Sequence, residues 1–104
     1  MSYTGASAGQ ARKNVCANNG DCGIRLGDHA APILEGNTCQ ENKEDGLSYY
    51  DSSAGEARNN SLFRNGRYGL YLSPGAVPQL WENRFAHNEG SDLQSEHDTA
   101  WPVQ

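Results

Sequence analysis

The sequence predicts an all-β chain wound as a parallel solenoid, with about four coils of 23 residues and a partial fifth. Three observations lead there. Two series of asparagines recur at an interval of 23, and several columns of apolar residues keep that interval without an insertion. Within each interval the apolar residues alternate over short stretches only.

The asparagine series are Asn14, Asn37, Asn60, Asn83 and Asn19, Asn42, Asn65, Asn88. In the same register run Cys16, Cys39, Leu62, Phe85, then Ile24, Leu47, Leu70, Leu93, and Ala11, Leu34, Ala57, Leu80, Val103. A further small-residue column is read at Ala8, Ala31, Ala54, Val77, Ala100. Gly and Asn at fixed places would each cost a helix roughly 0.5–1 kcal/mol, which removes helix-pair solenoids. The fragments "GIRL", "GLSY" and "GLYL" alternate as strands do, with residues 24 and 26, 47 and 49, 70 and 72 on one side and Arg25, Ser48 and Tyr71 on the other.

Three short strands and three turns close one coil, so each residue lies about 4.8 Å above its equivalent one coil earlier. Stacked asparagines then read as two structural ladders, because a side-chain amide carries both a donor and an acceptor and can chain from coil to coil. Gly23, Gly46 and Gly69 are expected to supply a backbone angle that a side chain would forbid. The whole chain, residues 1–104, reads as one repeat domain with coils starting near 8, 31, 54 and 77 and a partial coil from 100. "SAGQARKN" at 7–14 returns as "SAGEARNN" at 53–60, a two-coil rhythm in which Ala11 and Ala57 alternate with Leu34 and Leu80.

The formal net charge of −5 and a pI near 5.0, with no run of Lys or Arg, argue against a nucleic-acid partner. No apolar run is long enough for a membrane span, and "MSYTGASAGQ" lacks the regions of a secretory signal. That start places a complete chain in the cytoplasm and leaves a fragment free to come from an exported protein. Cys16, Cys22 and Cys39 are odd in number and fit no zinc spacing, while His29, His87 and His97 fall in three different columns, so no metal or cofactor is expected.

The phrase "P-x-L-x-x-N-x-C-x-x-N-x-x-x-G-L-x-Y" from Pro32 to Tyr49, and "P-x-L-x-x-N-x-F-x-x-N" from Pro78 to Asn88, resemble the repeats of right-handed parallel β-helix proteins of the pectate-lyase-like superfamily. The match is closest to repeats of the carbohydrate-binding and sugar-hydrolase type. The resemblance implies a right-handed parallel β-helix. That repeat is shared by lyases, hydrolases, epimerases and binding modules, so it names no single activity.

Among surface columns, Arg12, Glu35, Arg58 and Trp81 form an outward row of alternating charge that ends on an aromatic ring. Tyr50, Tyr68, Tyr71, Trp81 and Arg58 are the candidate glycan-binding residues, whereas Tyr49 shares the inward column of Leu26 and Leu72. Asp28 and Asp51 lie one coil apart, and Glu41, Glu44 and Asp45 read as a solvated acidic turn, too sparse for a catalytic set. Cys16 and Cys39 are stacked as small core residues, with a bridge between them geometrically open, and Cys22 reads as exposed and reactive.

These features favour a non-catalytic structural or scaffold β-helix, whether a segment of a longer protein or a consensus-like, designed stack. A carbohydrate-binding module is the first alternative and a polysaccharide lyase or hydrolase the second. The expected partners are a polysaccharide and a second copy of the chain, the latter meeting the unpaired edges of the end coils. The first coil is expected to be the stickier end, since Trp101 and Pro102 are placed to fold over the last one.

Overall fold

The structure is a computed structural model that describes residues 2, 3, 5 and 9–95. The first complete coil holds β2 (Gln10–Arg12), β3 (Val15–Ala17) and β4 (Ile24–Leu26), preceded by β1 (Ser2–Tyr3). The second holds β5 (Ile33–Glu35), β6 (Thr38–Gln40) and β7 (Leu47–Tyr49), and the third β8 (Glu56–Arg58), β9 (Ser61–Phe63) and β10 (Tyr68–Leu72). The fourth holds β11 (Gln79–Trp81), β12 (Arg84–Ala86) and β13 (Ser91–Ser95).

Every strand pairs in parallel with its equivalent one coil away, which generates three sheets ordered β1-β4-β7-β10-β13, β2-β5-β8-β11 and β3-β6-β9-β12. The register is 23 residues throughout, as in Cys16 opposite Cys39 and Leu70 opposite Leu93. No helix occurs among the described residues. The strand β1 adds a rung over β4 that the sequence pattern did not reveal, because two residues are too few to alternate. Ala8, Ala100, Val103, Trp101, Pro102, His97 and the partial fifth coil lie outside the described residues.

The corners explain the asparagines. All nine non-glycine residues of positive φ among the described residues fall in three columns. One is Lys13, Asn59 and Glu82, with Gly36 between them; another is Asn18, Glu41, Arg64 and His87; the third is Asp28 and Asp51, with Gly5 above. In the first two columns the left-handed residue immediately precedes a ladder asparagine. A left-handed residue costs of order 1 kcal/mol or more without a glycine, so something must hold it there. The next residue does so. The Oδ1 atom of Asn60 accepts from Asn37 N at 2.9 Å and from Asn37 Nδ2 at 3.1 Å, while Asn60 Nδ2 donates to Leu34 O at 3.0 Å. Asn65 repeats this pattern with Asn42 and with Cys39 O.

The third corner uses carboxylates instead: Asp51 Oδ2 accepts from Asp28 N at 2.9 Å, and Asp28 Oδ2 from Gly5 N at 2.9 Å. Pro74 occupies the equivalent position one coil beyond Asp51, and its ring, with φ near −65°, ends the series.

Inside the triangle of sheets, Ile24, Leu26, Leu34, Cys39, Leu47, Tyr49, Leu62, Leu70 and Leu72 are almost wholly buried, with Phe85 and Leu93 packed against them at the last coil. Two sequence expectations change. The small-residue inward column is Ala30, Ser53 and Ala76, each 0% exposed, whereas Val77 is 49% exposed. Small residues in turns carry no alternation, so the pattern was displaced by one.

The glycine column has a different cause from the one expected. Gly23, Gly46 and Gly69 are absent from the positive-φ residues; a Cβ on Gly46 would lie 2.7 Å from Asn65 Nδ2 and 2.8 Å from Gly69 O. Crowding by the ladder amide and by the next coil's carbonyl excludes the side chain there.

The ladder geometry orders the effects of its loss. Asn37→Ala and Asn60→Ala each strip side-chain bonds to both neighbouring coils, and urea melts are expected to show a loss of about 2–3 kcal/mol. Among the described residues the Asn14 side chain bonds to Asn37 only, donating at 3.2 Å, so Asn14→Ala is expected to lose clearly less. Equal losses in the three variants contradict this account.

Candidate functional site

The outer face of the β1-β4-β7-β10-β13 sheet carries the densest group of side chains with chemistry. It is assembled from columns that do not repeat. Arg25, Ser48 and Tyr71 occupy equivalent outward positions, and Cys22, Asp45 and Tyr68 occupy the position before the column glycine. Tyr50 follows β7 at the start of a turn. A uniform repeat would stack like on like; here an aromatic, a carboxylate and a guanidinium are brought together across adjacent coils.

At its base is Asp45, 0% exposed. Its Oδ1 accepts from Arg67 Nε at 3.0 Å and from Tyr68 N at 3.1 Å. Its Oδ2 accepts from Arg67 Nη2 at 2.8 Å and from Ser48 Oγ at 2.8 Å. The expected solvated turn is therefore wrong for Asp45: four donors enclose the carboxylate, and Arg67 closes it from solvent. That hydrogen bonding, together with the carboxylate charge, pushes the Arg67 guanidinium further above its ordinary pKa. Ser48 is itself fully buried although it lies on the outward side, because it belongs to this polar knot.

Cys22 also departs from expectation. It is 6% exposed, with Ser48 Oγ 3.0 Å and Asp45 Oδ2 3.9 Å from its sulfur. Burial pushes the thiol up to about 11, so it stays protonated and unreactive at neutral pH. Asp21 and Glu44 bring carboxylate oxygens within 4.8 Å of that sulfur, yet Asp21 is engaged by Arg25 at 3.3 Å and Glu44 lies 3.9 Å from Arg67. A protonated thiol and two partnered carboxylates make a poor metal set.

Over the knot lies an aromatic layer. The rings of Tyr50 and Tyr71 are 5.3 Å apart and tilted, and those of Tyr68 and Tyr71 are 6.1 Å apart and stacked. Arg25 sits 4.7 Å from the Tyr50 ring centroid; Arg67 lies 5.2 Å from Tyr68 and 5.8 Å from Tyr71. All three tyrosines are half-buried, so each ring shows one part of its surface to solvent. Tyr49, by contrast, is 0% exposed in the core, and its hydroxyl has no partner among the described residues.

The other two candidate glycan residues stand elsewhere. Arg58 and Trp81 are on the β2-β5-β8-β11 sheet, where Arg58 Cζ lies 5.6 Å over the Trp81 ring. Glu35 joins that row to Arg12 at 3.3 Å and to Arg58 at 3.7 Å. The five sequence candidates thus separate into a tyrosine group and an Arg58–Trp81 pair on different sheets. Arg67, which organises the first group, was missed because its column partners, Glu44 and Gly90, share nothing with it.

A separate groove of about 430 Å³ lies at the second asparagine corner, lined by Glu41, Asn42, Lys43, Arg64, Asn65, Gly66, His87 and Glu89.

Two tests follow from the buried knot. Removing Arg67 strands a buried carboxylate, so Arg67→Ala is expected to lose about 3 kcal/mol in urea melts. Arg25→Ala breaks an exposed pair with Asp21 and should lose under about 1 kcal/mol.

For Cys22 the sign follows from linkage. Its folded pKa is raised above the unfolded value of 9.0, so its contribution is constant below pH 9 and falls between pH 9 and about 11, where the unfolded thiol ionises first. Over that interval the wild type should lose on the order of 2 kcal/mol relative to Cys22→Ser. A constant difference across the interval contradicts the assignment.

A family model described as "Right handed beta helix region" matches residues 1–100. Neither a search of curated proteins nor a search of solved structures returns a significant match. The matched length covers nearly the whole chain and agrees with the three parallel sheets and the 23-residue register. The chain belongs to the right-handed β-helix family.

Proposed function

We propose that this β-helix is a non-catalytic scaffold whose tyrosine-bearing face holds saccharide rings of a polysaccharide. The observation that carries the reading is the layer formed by Tyr50, Tyr68 and Tyr71, with Arg25 and Arg67 against its rings. Partly exposed aromatic faces on a rigid sheet offer apolar surface to the C–H faces of a sugar, while Arg25 and the tyrosine hydroxyls offer hydrogen bonds at the rim. Tyr68 and Tyr71 are held on strand β10 and Tyr50 directly follows β7, which keeps the ordering cost of binding low.

Asp45, the acid at the base of this face, is committed to structure, which supports a binding role over a hydrolytic or lyase one. Asp45 is enclosed by Arg67, Ser48 and the Tyr68 backbone, and Asp51 caps the Asp28 amide. A catalytic carboxylate needs a free oxygen facing the scissile bond.

The test is a glycan array followed by affinity electrophoresis with the best neutral and acidic polysaccharides, comparing wild type with a Tyr50→Ala, Tyr71→Ala double variant. Binding weakened about tenfold or more, with an unchanged melting temperature, is the expected result. No retention of any polysaccharide by the wild type overturns the proposal and leaves the purely structural stack. Release of unsaturated products absorbing in the ultraviolet overturns the non-catalytic part.

A further inference from the structure

We propose that Cys16 and Cys39 are a covalent cross-linking site, joined under oxidising conditions into a disulfide that clamps the first complete coil to the second. The two residues are register partners in the parallel pair β3–β6. Both side chains face the core, at 8% and 0% exposure, and both thiols are free in the structure. Register partners on neighbouring parallel strands stand about 4.8 Å apart, inside the Cα separation of about 4.4–6.8 Å that a disulfide spans. The column continues as Leu62 and Phe85, so the pair occurs only at this end of the stack.

The place matters as much as the spacing. Among the described residues, β2 pairs with β5 and β3 with β6, so the two cysteines lie across one coil-to-coil interface. In a stack whose stability is a sum of coil-to-coil interfaces, a single interface can open without unfolding the rest. Opening gives a small oxidant access to Cys16, and reclosing returns it to Cys39. Burial, and after it the neighbouring Cys16 thiol, hold Cys39 protonated in the closed state, so exchange proceeds through the opened interface. Cys22 is not a competitor: its sulfur lies by Ser48 and Asp45, in the polar knot of another sheet's outer side.

The oxidant is a low-molecular-weight disulfide. The Cys16 thiolate attacks one of its sulfurs, forming a mixed disulfide and releasing the first thiol; the Cys39 thiolate then attacks Cys16 Sγ and releases the second. Two protein thiols are oxidised, one small disulfide is reduced to two thiols, and the two protons pass to the leaving thiolates. The bond closes a 23-residue loop between two neighbouring coils. It withdraws freedom from the unfolded chain and opposes opening of that interface.

The experiment compares the full chain equilibrated with glutathione disulfide against the same chain in dithiothreitol. Expected are a monomer lighter by two hydrogen atoms, a proteolytic peptide pair joining Cys16 to Cys39, and a melting temperature raised on the order of 10 °C that falls back on reduction. Cys22→Ser should retain all three, and Cys16→Ala and Cys39→Ala should each abolish them. If either alanine variant fails to fold, the comparison of oxidised and reduced wild type and Cys22→Ser still decides. A bridge through Cys22, intermolecular products or glutathione adducts without the internal bond, or a cross-linked form that melts with the reduced one, each overturns the proposal.

Discussion

The fold depends on one constraint: each coil must return to the same place after 23 residues. Two asparagine-fastened corners in every coil enforce it, and Asn37, Asn42, Asn60 and Asn65 each bond the coils on either side. The side chain does three things at once. It accepts from the amides of the preceding coil's asparagine, donates to the next coil's asparagine, and donates to a strand carbonyl of the preceding coil. Burial makes these bonds obligatory, since an unpaired polar group away from water costs about 1–3 kcal/mol. Insertion of one residue would misplace both ladders and turn each strand's core face outward.

The same constraint shapes the surface. Outward columns inherit the register of the core, so a residue's neighbours are chosen by addition of 23 rather than by tertiary accident. Where a column alternates charge, as in Arg12, Glu35 and Arg58, the result is a row of ion pairs. Where columns change type from coil to coil, as around Asp45, dissimilar groups meet and a polar knot with an aromatic cover is formed. Function on a solenoid is therefore expected where periodicity fails outside while it persists inside.

The interior and exterior also differ in tolerance. The core columns admit Cys, Leu and Phe at one level of the triangle because they trade volume along the stack, small beside large. The corner columns admit many residues at the left-handed position, from Lys13 to His87, but keep asparagine after it. The glycine column, Gly23, Gly46 and Gly69, is held by contact between backbones and amides rather than by dihedral preference, and gives way to Asp92 in the last coil.

What the sequence by itself determined is the one-dimensional part: strand register, the two asparagine ladders, most core columns, and the stacking of Cys16 on Cys39. Each of these is a statement about positions 23 apart, and repetition makes that relation visible without coordinates. What only the tertiary structure decided is how columns at different angles around the coil meet. The burial of Asp45 and Cys22, the role of Arg67, the separation of Trp81 from the tyrosines and the one-residue displacement of the Ala30 column all depend on where turns point. A turn's direction follows from single left-handed residues and from contacts with its neighbours, and neither leaves a period in the chain.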